Sequence, residues 1–98
     1  MEILCNKDNE KLTIVLVGRL DTTTAPELEE ALNGALDNIT ELVYDFTGLE
    51  YVSSAGLRVL LANQKVMKTK GEMKITNVNQ GIMEVFEVTG FSNILTIE

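Results

Sequence analysis

Tyr44-Asp45-Phe46-Thr47-Gly48-Leu49-Glu50-Tyr51-Val52-Ser53-Ser54-Ala55-Gly56-Leu57-Arg58 is the stretch on which the fold turns. With the preceding Leu42-Val43 it starts as a short continuous apolar run, the pattern of a strand buried on both faces. The strand is expected to finish at Asp45-Phe46, a short loop to follow, and the hydroxyl pair Ser53-Ser54 to open an amphipathic helix running from about Ser54 to Thr69. Ser54 is expected to cap that helix by accepting from the backbone N–H of Gly56 or Leu57. A helix N-terminus is also where added negative charge is best tolerated.

Toward the amino terminus, Asn38 and Thr40 separate this strand from a helix expected to begin near Ala25. Leu28, Ala31, Leu32, Ala35, Leu36 and Ile39 recur at three and four residues and form one apolar stripe. Thr22-Thr23-Thr24 offer hydroxyl caps, and Pro26 suits a first helical turn. Upstream, Lys11 to Val17 is β-branched and joins Met1–Asn6 through the polar turn Lys7-Asp8-Asn9-Glu10, which is a hairpin rhythm. Cys5, flanked by Leu4 and Asn6 in the first strand, is expected to be a buried structural thiol.

Toward the carboxyl terminus, the helix after Ser54 is apolar on two sides. Leu57, Leu60 and Leu61 share one face, which must meet the sheet. Val59, Ala62 and Val66 lie nearly opposite, and either pack beneath a neighbouring helix or receive a partner; packing is the less costly arrangement for a monomer. Lys70-Gly71 stops the helix, Met73 to Thr76 is a short strand, and Asn77-Val78-Asn79 is a loop. A last helix carries Ile82, Val85 and Phe86 inward and Glu84 and Glu87 outward, and Gly90 closes it before Phe91 to Ile97 returns to the core.

Strand, strand, helix, strand, helix, strand, helix is the order of a single α/β domain over residues 1–98. It predicts a mixed, mostly parallel sheet of four to five strands, with an N-terminal antiparallel hairpin and about three packed helices. Sites on such sheets gather at the carboxyl ends of the parallel strands. Here those ends are Leu20-Asp21, the segment Asp45 to Glu50, and the start of the Ser54 helix.

The 98 residues carry 15 acids and 8 bases, a net charge of −7. That argues against nucleic acid or an anionic membrane as partner and points to a partner with basic patches. No apolar run approaches the roughly 20 residues that span a bilayer, and Met1-Glu2 does not open a basic signal peptide, so membrane insertion is not expected and a cytoplasmic location is. One cysteine and no histidine exclude an internal disulfide and leave no zinc site.

Enzymatic chemistry finds little support. Ser54 has no histidine to activate it, and Lys65, Lys68 and Lys70 sit toward the far end of its own helix. No lysine follows Gly48 or Gly56 at the spacing of a phosphate-cradling loop. Asp21, Asp45 and Glu50 have the oxygen chemistry for magnesium, although solvated acids at strand ends are the commoner arrangement; no metal and no cofactor are expected. Asp45 resembles the phosphoacceptor of response-regulator receivers in its place after a third strand, but the paired acids and the late lysine of receivers are missing. It is expected instead to bind loop amides.

Asp45 through Leu57 resembles the signature of the bacterial anti-sigma-factor antagonists of the STAS domain family. Gly18-Arg19-Leu20-Asp21 followed by Thr24-Ala25-Pro26 is similar to the family's second landmark, and the order of elements extends the resemblance over the whole chain. The resemblance implies a non-enzymatic regulator that binds an anti-sigma factor with serine kinase activity and so frees a sigma factor. It further implies phosphorylation at Ser54, with Ser53 the second choice, and a phosphatase that reverses it. The family usually has aspartate where this chain has Ser53, and serine or threonine where it has Ala55. The implied partner surface comprises Asp21, Thr22, Glu50, Ser53, Ser54, Ala55, Gly56 and Arg58, with Arg58 either solvated or paired to a partner's acid. The alternative within the family is a non-switching subunit of a transporter or signalling scaffold. Oligomeric state stays open.

Overall fold

The computed structural model describes all residues from Met1 to Glu98. The hairpin comprises β1 (Glu2–Asp8) and β2 (Lys11–Leu20). They pair from Glu2 opposite Val17 to Asp8 opposite Lys11, and Asn9 turns the chain at φ 57°. Then follow α1 (Ala25–Leu32), β3 (Glu41–Val52), α2 (Ser54–Lys68), β4 (Glu72–Thr76) and α3 (Gln80–Thr89), with a 3₁₀ turn over Phe91–Asn93. The four-stranded sheet has the order β1-β2-β3-β4. Its first pair is antiparallel and the other two are parallel, as the two helical crossovers require. A single parallel bridge from Ile97 to Ile75 brings the C-terminus beside β4.

Alternation along the strands decides where the core lies. Leu12, Ile14 and Leu16 of β2, Leu42, Tyr44 and Phe46 of β3, and Met73 and Ile75 of β4 are buried and adjacent in register. All three helices contribute buried residues to the same 23-residue cluster, so they cover one face of the sheet. Each fully buried leucine or isoleucine there contributes about 1.5–3 kcal/mol. The other face carries Thr13, Val15, Val43, Asp45 and Lys74, all partly exposed. α3 is as expected: Ile82 and Phe86 are buried, Asn79 Oδ1 accepts from Ile82 N at 2.8 Å, and Gly90 closes the helix in the left-handed conformation.

Four expectations are corrected. The first helix ends at Leu32 instead of near Ile39, because Asn33 is extended (ψ 111°) and Gly34 takes φ 78°. Leu36 and Ile39 still reach the core, but from turns; Lys70 Nζ donates to Leu36 O at 2.6 Å and ties that segment to the end of α2. Second, the strand begun at Leu42 does not give way to a loop after Phe46. It continues to Val52 alongside β2, with register shifts between Val15 and Val17 and between Gly18 and Arg19. Each shift sets an extra β3 residue against β2, which slips the alternation so that Leu49 and Val52 point inward. Third, Cys5 is exposed. It lies on edge strand β1 opposite Ile14 of β2, whereas α1 lies beside Met1 and Ile3. Fourth, Thr24 occupies the N-cap of α1 without a side-chain cap bond; its hydroxyl donates to Arg19 O at 2.7 Å and accepts from Asp21 N at 2.8 Å.

Candidate functional site

The parallel pairing of β2 and β3 brings Leu20 opposite Val52, so both strands end together where α2 begins. Ser53 N donates to Leu20 O at 2.8 Å, which ties the helix start to the end of β2. Gly56 packs into the same joint: a Cβ there would lie 2.7 Å from Leu20 Cγ and 3.1 Å from Leu20 O. Gly56 is buried and serves the packing of this joint.

The capping role falls one residue earlier than expected. Ser53 has the extended backbone of an N-cap (φ −92°, ψ 176°), and its Oγ accepts from Gly56 N at a long 3.4 Å. Its carbonyl accepts from Leu57 N at 2.9 Å. Ser54 is thus the first helical residue, not the cap, and it is exposed, with no side-chain hydrogen bond made to its hydroxyl. The first turn of α2 holds no acidic residue to offset the positive end of the helix dipole.

Asp21 follows directly after β2. Its Oδ1 accepts from Thr23 Oγ1 at 2.8 Å, Thr23 N at 3.0 Å and Thr24 N at 3.1 Å. These bonds, the Thr23 hydroxyl first, hold its carboxyl below the usual range against a smaller opposing effect of burial. Oδ2 lies 3.8 Å from Arg19 Nε. Arg19 in turn stacks 4.4 Å from the centre of the Tyr51 ring, its register partner. This Arg19–Tyr51 pair escaped the sequence reading; the signal was Gly18-Arg19 and Glu50-Tyr51 standing at the ends of two strands that must run parallel. Tyr51 is 40% exposed. Thr22, Glu50 and Arg58 are exposed, and Ser53 and Ala55 are partly so. Arg58 enters no ion pair.

Asp45 stands apart from this joint. It sits midway along β3 on the uncovered face, opposite Val15 and Thr76. Its Oδ1 accepts from Thr47 Oγ1 at 2.6 Å, Thr47 N at 3.0 Å and Asn77 Nδ2 at 3.1 Å. The Thr47 hydroxyl and then Asn77 lower its pKa. It binds amides as expected: the carboxamide of Asn77 belongs to the loop after β4, and the N–H of Thr47 to β3 itself. Asp21, Asp45 and Glu50 form no metal-binding group. A second feature the sequence reading missed is the buried polar pair beneath α2, where the Tyr44 hydroxyl donates to Asn63 Oδ1. Asn63 falls on the inward face of an otherwise apolar stripe, and that position was the available clue.

Residues 3–96 match the family model described as Mlab, STAS domain. Over 99 aligned residues the chain is 32% identical to BtrV of Bordetella bronchiseptica, named as an anti-sigma factor antagonist, spanning 99% of this chain and 85% of that protein. It is 28% identical over 93 residues to the anti-sigma-B factor antagonist of Bacillus subtilis, spanning 93% and 85%. Among solved structures, the anti-sigma factor antagonist SpoIIAA in its unphosphorylated form superposes with a TM-score of 0.78 at 18% identity, covering 99% of this chain and 87% of that one. Its phosphorylated form gives 0.77 at the same identity, covering 99% and 91%. At that identity the likeness speaks for the fold.

Proposed function

This chain belongs to the STAS domain family, and from that premise we propose that it is an anti-sigma-factor antagonist, a cytoplasmic regulator that binds an anti-sigma factor and so frees a sigma factor. The names of its curated relatives support this reading. The proposal extends to a switch: the anti-sigma factor is also a serine kinase, it transfers the terminal phosphoryl group of ATP to Ser54 Oγ with loss of the hydroxyl proton and release of ADP, and a phosphatase restores the serine by hydrolysis.

The observation that carries the switch is the contrast between neighbours. Ser53 is partly buried and engaged as the cap, while Ser54 presents an exposed, unpartnered hydroxyl at the first position of α2. A phosphate there gains about −1.5 to −2 charges at neutral pH and meets the free amides of the first turn. Arg58, four residues on, lies on the same side of the helix and can balance part of that charge. The domain then keeps its fold while the surface formed by Thr22, Glu50, Ser54, Ala55 and Arg58 goes from near neutral to negative beside the fixed carboxylate of Asp21. A partner shaped for the neutral serine is repelled and sterically excluded.

Incubation with the cognate kinase and ATP, followed by mass spectrometric mapping, tests the switch. Phosphate is expected on Ser54 and absent from Ser54→Ala; modification of Ser53 alone, or of neither, rejects the assignment. Ser54→Asp is expected to bind the anti-sigma factor much more weakly with an unchanged circular dichroism spectrum. Co-purification with a membrane transporter or a multi-subunit scaffold, without modification, instead supports the non-switching subunit.

A further inference from the structure

Between α1 and α2 runs an open groove of about 720 Å³. Leu32, Leu36, Val59 and Ala62 supply its apolar lining, Glu29 and Glu30 stand on the α1 side, and Arg58 stands on the α2 side. Asn63 also lines it and is only 7% exposed. Its Oδ1 accepts from the buried Tyr44 hydroxyl, which leaves the amide nitrogen without a protein partner. A carboxamide has two N–H donors; those of Asn63 are not sealed from solvent and face the open groove, where they are available to an incoming acceptor.

We propose that this groove docks a segment of the anti-sigma factor in which an apolar side chain is flanked by lysine or arginine. The apolar residue seats on Val59 and Ala62, a carbonyl oxygen accepts from Asn63, and the basic residue pairs with Glu29 and Glu30. Charge selects this occupant. α1 holds Glu27, Glu29 and Glu30 and no basic residue, so an acidic segment meets like charge. A second copy of this chain, itself at −7, does so too. Arg58 lines the groove one turn beyond Ser54 and makes the two surfaces continuous. The inference rests on the antagonist reading and deepens it: the groove supplies affinity and aligns the partner, while Ser54 supplies the switch.

The test is calorimetric titration of the purified cognate anti-sigma factor into wild type, Ala62→Arg, the pair Glu29→Lys/Glu30→Lys, and Ser54→Asp. Positions 29, 30 and 62 are exposed, so these variants should fold, as circular dichroism would verify. Both groove variants are expected to bind about tenfold more weakly or worse, with the charge-reversed pair losing much of its dependence on salt. They should also be phosphorylated at Ser54 with a higher KM and little change in kcat. Wild-type affinity in both groove variants, while Ser54→Asp fails to bind, overturns the groove and leaves the switch standing. Failure of wild type to bind overturns both.

Discussion

Ser53 and Ser54 carry the same side chain one position apart, and the backbone gives them opposite tasks. The extended conformation at Ser53 turns its oxygen back to the helix, while Ser54, already helical, projects outward. Ser53→Ala is therefore expected to cost about 0.5–1 kcal/mol, the low end for a cap because the bond is long. Ser54→Ala should leave stability within about 0.5 kcal/mol of wild type. Urea denaturation of the two variants measures both. Tyr44 poses the opposite case of a polar group sealed inside. Burial pushes its hydroxyl far above the ordinary value, so it remains a donor. Tyr44→Phe orphans Asn63 Oδ1 and should destabilise by about 1–3 kcal/mol, whereas Tyr44→Phe/Asn63→Leu, which removes both partners, should recover much of that loss. A further loss in the double variant would show that the pair does not act as one unit. The sequence pointed to the serine pair because hydroxyls before an apolar helical stripe are a local signal. It did not separate cap from first helical residue, since that depends on a single ψ angle.

At the scale of elements, the departures lie where one residue interrupts a correct pattern. The stripe from Leu28 to Ile39 did mark buried positions, but Gly34 at φ 78° cannot continue a helix. A Cβ at Gly34 would meet nothing within 4 Å, so the obstacle is conformational. Gly34→Ala is expected to lower stability by about 1–2 kcal/mol despite alanine's better helix propensity, read as a fall in melting temperature. A rise would mean that α1 can lengthen. The far end of β3 has no strand pattern in the sequence because its bulges disturb the period of two, and a disturbed period reads as a loop. Asp45 links β3 to the turn after β4 through Asn77. Its folded pKa lies below the ordinary 3.8, so its contribution is fully present above that value and is lost as pH falls through the folded pKa. The stability gap between wild type and Asp45→Asn should be constant near neutrality and close below about pH 4. A gap that persists in acid would remove the carboxylate as its cause.

Over the whole molecule, one face of a four-stranded sheet carries three helices and a single core, and the ends of β2 and β3 meet at the start of α2. Element order, the hairpin, the two parallel crossovers and the serine-bearing joint are all legible in the chain alone, because apolar period, turn residues and capping chemistry act over a few neighbours. Three matters were settled only once strands and helices came together: how far β3 runs beside β2, that Cys5 on the edge strand stays outside, and that Gly56 is shut against Leu20. Each depends on what lies alongside in space, from residues distant in sequence, and no local pattern encodes that neighbour. The Arg19–Tyr51 stack and the Tyr44–Asn63 pair belong with them, since each joins residues that only the parallel register or the packing of α2 brings into contact.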